Sequence, residues 1–456
     1  MSIDDMVDFS MTLGKTRKHP NNIIENKCIN LLKFTSLYGA NASGKSSFIS
    51  SMKLSQNIII NSVDLNDYLN RYNKNDLDNK NKETKFEYEI IIDQKVYSYG
   101  FSIILNKRSI VAEWLYDITN DKEITIFERS ISHKELNKKL NTSPSFTRVN
   151  YAYLNLNSND AKRLEIYTQD IEEDNRLLLL TSLNDSKKDL TVNNEPSIFR
   201  KIYNWFNFKL EVIEPTDVTK DFAMTTHNKK YLSQLSQFLK ANDTGIVKVD
   251  LEKSDGRIGG VPLEIEKSIM KKIESDFEEA YSREDLTITV RINNKIMNFK
   301  HEDGNINMYT LKFVHSKDGV KYDYDEESDG TIRLIELFSI ITNENEKVFV
   351  IDELNRSLHP LLTYNFVKTF LETSSNSQLI VTTHEEKLLD LNLLRRDQIW
   401  FIEKDLNGNS KLYSLEQYNE RFDKNILNAY MTGRYGAIPK INQLFSNYIN
   451  NYKFGE

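Results

Sequence analysis

The chain has a single cysteine, Cys28. An intrachain disulfide is therefore excluded, and this usage fits a reducing compartment. Proline is scarce at 7 residues, and glycine reaches only 15 in 456. Such counts exclude collagen-like and Gly/Pro-rich low-complexity chains. No apolar run approaches the ~18 residues of a membrane span. The longest, such as Leu177–Leu180 and Val348–Ile351, have the length of core strands. The start, Met1-Ser2-Ile3-Asp4-Asp5, is acidic and lacks the basic opening of a secretory signal. No heptad array and no repeat of about 20–50 residues is visible. Neither sign of charge dominates: 60 Lys+Arg against 67 Asp+Glu leave −7, which argues against wrapping by nucleic acid through bulk charge. Together these absences lead us to expect a soluble cytoplasmic protein without membrane contact.

What is present is enough apolar material for a substantial core, 39% of residues with 11% aromatic. The length is about three times a ~150-residue domain, so one domain with an inserted lobe and two domains both fit.

Leu31–Tyr38 reads as a β-prone run, Gly39–Gly44 as a turn, and Lys45 onward as a helix carrying Phe48, Ile49 and Met52. Residues 61–84 are rich in Asn, Asp and Lys and read as a surface loop. Alternation at Phe86–Ile92, a turn at Asp93-Gln94, and runs at Val96–Ile103 and Ile110–Tyr116 predict an antiparallel meander. Tyr231, Leu235, Phe238 and Leu239, then Ile265, Ile269, Ile273 and Phe277, have helical spacing. Thr287–Val290 and Met308–Val314 read as strands, and Ile332, Ile335 and Phe338 as one face of a helix. The continuous runs Val348–Ile351, Gln378–Thr383 and Ile399–Ile402 predict strands buried on both faces, as in a parallel sheet.

Four stretches carry candidate chemistry. Gly39-Ala40-Asn41-Ala42-Ser43-Gly44-Lys45-Ser46, followed by Ser47, matches a glycine loop between strand and helix. Its N–H groups would cradle phosphates, Lys45 would reach the outer phosphate oxygens, and the Ser46 hydroxyl would ligate Mg²⁺. Asp352-Glu353 closes a buried strand. Asp352 at that position can hold Mg²⁺, and Glu353 can polarise an attacking water. His384 ends the next apolar strand, where an imidazole could touch a γ-phosphate. Ser328-Asp329-Gly330-Thr331 precedes a helix. It suits either an anion nest or an ordinary helix cap.

This order of phosphate loop, S-x-G-x before a helix, strand with Asp-Glu and strand with His resembles an ABC-type ATPase of the soluble AAA family. The wording Glu327–Leu334 is not the transporter form. It resembles the ATPases of the overcoming-lysogenization-defect and abortive-infection, or phage-defence, type. Leu358-His359-Pro360, Asp243-Thr244-Gly245-Ile246, Arg395–Phe401 and Gly433–Pro439 resemble the same group. The resemblance implies an α/β fold: an ABC-type ATPase head, a mixed sheet with its phosphate loop and an antiparallel β meander, with an inserted mainly helical lobe and no long coiled coil. The expected parts are 1–125 for the first part of the head, 126–285 for the lobe, 286–415 for the second part, and 416–456 for a tail that could dock a partner.

The resemblance further implies ATP and Mg²⁺ as cofactors and ATP hydrolysis as the activity. Asn41, Ala42, Ser43, Gly44, Lys45, Ser46 and Ser47 would bind nucleotide, with Ser46 and Asp352 on the metal and Glu353 and His384 catalytic. Ser328, Asp329, Gly330 and Thr331 of a second subunit would close over the γ-phosphate, giving a homodimer or higher homo-oligomer. Gln56 and Gln94 are the two candidates for a Q-loop glutamine. Related ATPases often carry a fused Toprim nuclease. The residues after His384 contain no D-x-D pair, so the expectation is a separate effector protein, a nuclease or Toprim-type partner, gated by ATP and triggered by a phage component or nucleic acid. The alternative is a DNA-repair or chromosome-maintenance ATPase that binds DNA directly.

Overall fold

The computed structural model describes residues 6–438, apart from 61–68, 121, 132–144, 174, 186, 216, 218–227, 255–260, 280–286, 293–294, 303, 317–318, 375, 406 and 419–425. Most of the expected 416–456 tail lies outside the described residues. The chain divides into two compact units, one of 1–212, 350–352 and 378–456, the other of 213–349 and 353–377.

In the first unit, strand β1 (Phe34–Tyr38) leads through the glycine loop into helix α1 (Lys45–Ile60). A meander follows: β2 (Thr84–Ile92), β3 (Lys95–Ile104), β4 (Ser109–Asp117), β5 (Ile124–Ile131) and β6 (Ser145–Val149), paired in that order, all antiparallel. Asp93 and Gln94 form the β2–β3 turn with φ of 50° and 63°. Two left-handed residues between paired strands match the right-handed strand twist. Helices α2 (Ser158–Glu173) and α3 (Leu179–Asn184) and strand β7 (Leu210–Ile213) come next.

Leu177–Leu180, an apolar run of core-strand length, leads into α3. The buried Glu113 carboxylate on β4 accepts from Leu179 N (2.6 Å) and Leu180 N (3.1 Å). It thereby serves the orphan N–H groups of a helix start.

The second unit contains α4 (Lys229–Ala241), β8 (Ile246–Lys253), α5 (Leu263–Glu279), β9 (Thr287–Ile292), β10 (Lys295–Glu302), β11 (Asn305–His315), β12 (Val320–Asp323), α6 (Asp329–Ile341) and, after β13 (Val348–Ile351), whose last two residues are assigned to the first unit, α7 (Pro360–Thr373). Strands β8–β12 make a five-stranded antiparallel sheet in the order β8-β11-β10-β9, with β12 on β11. Leu235, Leu239, Val249, Leu311, Phe313, Leu334 and Phe338 form a core joining α4 and α6 to it. On α5, Ile269, Ile273 and Phe277 pack on the sheet, whereas Ile265 is 52% exposed and stands outside the stripe.

The chain ends with β14 (Gln378–Thr382), β15 (Ile399–Lys404), β16 (Ser410–Ser414) and α8 (Ile426–Met431). The central sheet runs β7-β13-β14-β1-β15-β16, with β14 and β15 parallel to β1 and β16 antiparallel to β15. Every residue of β1 is buried, as the unbroken apolar runs demand of a sheet covered on both faces.

Candidate functional site

The glycine loop begins with a glycine that a Cβ would ruin. An ideal Cβ on Gly39 would lie 2.5 Å from the Ile402 carbonyl and 2.4 Å from Ser43 Oγ. Ala42 and Gly44 then take φ of 62° and 114°, the left-handed steps that turn successive N–H groups to one side. Ser43 is pinned from behind, its carbonyl accepting the Ser410 hydroxyl at 2.7 Å. Its own Oγ is buried without a hydrogen-bond partner. Lys45 opens α1, is 7% exposed, and donates from Nζ to the Gly39 carbonyl at 2.8 Å and the Ala40 carbonyl at 3.1 Å. The ammonium thus sits inside the ring of its own loop. Asn41, Ala42 and Ser46 are exposed and Ser47 is half-buried. Lysine, helix start and orphaned hydroxyl are the donor set a polyphosphate requires.

Asp352 ends β13 and is buried, its Oδ1 accepting the Thr382 hydroxyl at 2.5 Å. Thr382 ends β14 and pairs with Leu37 of β1, two residues before Gly39. Thr383 N donates to the Leu37 carbonyl at 3.1 Å and takes the chain past the sheet edge to His384, which is exposed. Loop, Asp352 and His384 therefore leave the C-terminal ends of neighbouring strands, where open α/β sheets bind ligands. Tyr38 backs this edge: its hydroxyl donates to the Glu385 carbonyl at 3.2 Å, and burial pushes its pKa well up.

Glu353 follows with φ of 54°, and Ser357, four residues on, has φ of 60°. Two non-glycine residues in that region mark a loop held in a costly conformation, of order 1–3 kcal/mol each. In the same unit Ser328 is the N-cap of α6, accepting from Thr331 N at 3.2 Å. The cap half of the sequence alternative is therefore realised. An ideal Cβ on Gly330 would come 2.8 Å from the Ser357 carbonyl, so the first turn of α6 lies directly against the loop that Glu353 opens. One turn further, Arg333 is buried and donates to Glu336 at 3.2 Å. Burial lowers the guanidinium pKa, Glu336 opposes the shift, and Arg356 and Glu353 act more weakly.

Asn41–Ser47, Asp352 and His384 thus share the first unit, while Ser328–Thr331 and Glu353 belong to the second. Reading the sequence did not single out Thr382, Ser410 or Ser357. Their hydroxyl or carbonyl partners are distant in the chain, and only the threonine pair ending an apolar strand hinted at the first. Gln56 is buried and donates to the Phe206 and Leu210 carbonyls at 2.6 and 2.7 Å, which commits its amide to the fold. Gln94 sits in the β2–β3 turn. Among the described residues no group of three or more His, Cys, Asp or Glu could hold a metal, and no helix is long and apolar enough to cross a membrane.

A strand, a glycine loop and a helix, with a buried aspartate ending a neighbouring strand of the same mixed sheet, define an ATPase fold of the ABC/AAA class. The chain belongs to the family described as "AAA domain, putative AbiEii toxin, Type IV TA system", whose model matches residues 34–390. No curated protein sequence matches significantly. Among solved structures, an SMC head bound to the C-terminal winged-helix domain of ScpA is similar at 13% identity and a TM-score of 0.33, over 84% of this chain and 92% of that one. A Pyrococcus furiosus-derived Smc head with an extended coiled coil, bound to the C-terminal domain of ScpA, gives 14% and 0.30 over 87% and 96%. The Thermotoga maritima SMC head domain gives 12% and 0.27 over 86% and 95%.

Proposed function

We propose that the protein binds and hydrolyses Mg²⁺-ATP and uses that cycle as a gate on a separate effector in anti-phage defence. The observation that carries the nucleotide half is Lys45, a buried cation bonded to the carbonyls of the loop it closes, beside the N–H groups that would wrap a phosphate. In this reading the N–H groups of Asn41–Ser47 wrap the phosphates. Lys45 exchanges its two loop carbonyls for phosphate oxygens. Ser46 and Asp352 hold the metal, and Thr382 keeps Asp352 turned to it. The ion, when bound, neutralises charge between the outer phosphates. A magnesium site asks for few protein ligands and completes its octahedron with water and phosphate, which fits one hydroxyl and one carboxylate. Glu353 orients and deprotonates the attacking water, and His384 contacts the outermost phosphate.

Ser328, Asp329, Gly330 and Thr331 of a second copy supply the opposing donors, so ATP joins two copies into a homodimer that the effector reads. The family description, with its toxin and Type IV TA wording, supports a defence role; the effector, a nuclease in this reading, is a separate protein. The test is phosphate release by the parent, Lys45→Ala and Glu353→Gln proteins, with and without Mg²⁺. The reading requires Mg²⁺-dependent release by the parent, little by either variant, and nucleotide binding lost only in Lys45→Ala. Equal release by all three overturns it.

A further inference from the structure

Asp243-Thr244-Gly245-Ile246, noted in the sequence and given no role above, lies beside a hydrogen-bonded pair, His315 and Glu327, that immediately precedes Ser328. Strand β11 terminates at His315, which is opposite Ile246 at the start of β8, at a bulge between Ile246 and Lys248. Gly245 has φ of +79°, and an ideal Cβ there would be 3.4 Å from His315 Nδ1. The ring edge of Tyr322 on β12 meets the imidazole with centroids 4.8 Å apart at 68°. Caged in this way, the imidazole brings Nε2 to 2.7 Å from Glu327 Oε1. The Glu327 side chain is 5% exposed, and the next residue is Ser328, whose hydroxyl starts α6. A buried carboxylate with a single-sided chain approach is costly to leave unpaired. The sheet edge therefore holds the backbone just ahead of the cap. A second tie, Lys312 to Asp323 at 2.6 Å, anchors the start of the same descent from β12.

We propose that His315 is a positioning residue for Ser328-Asp329-Gly330-Thr331. Through Glu327, it fixes this segment on the edge of the five-stranded sheet, so that the second unit presents its donors in one geometry. A γ-phosphate-facing segment is useful only if it is preorganised. Ser328 and Asp329 are themselves exposed, so their placement comes from the ties on either side, the Glu327 bond before them and the buried Thr331 and Leu334 after them. The functional half of the proposal rests on the role given to Ser328 above, whereas the structural half does not.

The experiment uses the full chain as parent, His315→Ala, His315→Gln and Glu327→Gln. Amide hydrogen exchange of peptides covering 327–335 is compared with that of 348–351, alongside kcat and KM for ATP. His315→Ala should raise exchange over 327–335 roughly tenfold, leave 348–351 unchanged, and lower kcat about tenfold with KM within about twofold. The amide of His315→Gln keeps a donor toward Glu327 and should recover most of both losses. Unchanged exchange in His315→Ala overturns the proposal, whatever the hydrolysis data. Raised exchange with parental kcat also overturns it, because the anchor then positions nothing. Equal loss in the Ala and Gln variants does so too, because it reports packing alone. Should His315→Ala fail to fold, Glu327→Gln replaces it, weakening the same pair with less change in volume. A parent that hydrolyses no faster than Lys45→Ala would count against the functional reading instead, and the exchange data would still decide the anchor.

Discussion

The Thr382 hydroxyl donates to Asp352 Oδ1 at 2.5 Å, tying the ends of two adjacent strands, β14 and β13, through their side chains. Both groups are buried. The bond sets the rotamer of the carboxylate that the account assigns to Mg²⁺. Thr382→Val keeps shape and removes the donor, so Asp352 would be left with an unmet oxygen. Stability should fall by about 1–3 kcal/mol, and the Mg²⁺ concentration for half-maximal hydrolysis should rise several-fold. A magnesium titration of phosphate release, next to urea denaturation, checks both. An unaltered titration would mean Thr382 only fills space.

Lys45→Ala should weaken nucleotide binding at least about tenfold. Two of the bonds it loses, at 2.8 and 3.1 Å, are to the Gly39 and Ala40 carbonyls of the loop itself. Equilibrium binding of a fluorescent ATP analogue checks this, and parental affinity would remove Lys45 from the site.

Gly330→Ala should damage hydrolysis without touching nucleotide binding. Its Cβ would come 2.8 Å from the Ser357 carbonyl, a backbone atom that cannot move aside cheaply. Either the first turn of α6 or the loop opened by Glu353 must shift, and both face the reaction in this account. Expected is a kcat loss of tenfold or more with unchanged affinity for ATP. Measuring both constants separates this outcome from general unfolding, in which they would fall together.

Much of this was legible because it is local. The phosphate loop is eight consecutive residues, and β13, β14 and β15 come from largely apolar runs that suit a doubly covered sheet. The meander showed in alternation around Asp93-Gln94. What stayed hidden depends on partners far along the chain. The start of α3 at Leu179 depends on a carboxylate far along the chain, Glu113 on β4. The Gly433–Pro439 segment, in the tail expected to dock a partner, has its described part folded inward. Tyr435 is fully buried and stacks on Phe401 at 5.4 Å, and Gly433 and Gly436 turn with φ of 77° and 62°. His315 gave no signal and Thr382 only a faint one, since an imidazole and a hydroxyl acquire meaning only from Glu327 and Asp352.

Acid should destabilise the meander through Asp117. Burial alone would raise its pKa, but bonds from Thr119, Tyr153 and Lys95 outweigh it and hold the group at about 2, against 3.8 when unfolded. A depressed carboxylate stabilises the fold above the unfolded value, and the contribution disappears as pH falls from about 4 to about 2. At neutral pH it is on the order of 2 kcal/mol. Asp117→Asn should be less stable than the parent by that order at pH 7, and the gap should narrow toward pH 2. A gap independent of pH would show that the side chain acts only by hydrogen bonding.

The most direct test of ATP-driven pairing is the solution mass of Glu353→Gln, by light scattering, with and without Mg²⁺-ATP. Without its base the variant should bind ATP and stall in the closed state. The account predicts one chain without nucleotide and two with it, and no such change when Lys45→Ala is added. A mass that is the same with and without Mg²⁺-ATP, at concentrations where the nucleotide is bound, would contradict the claim that ATP brings two copies together.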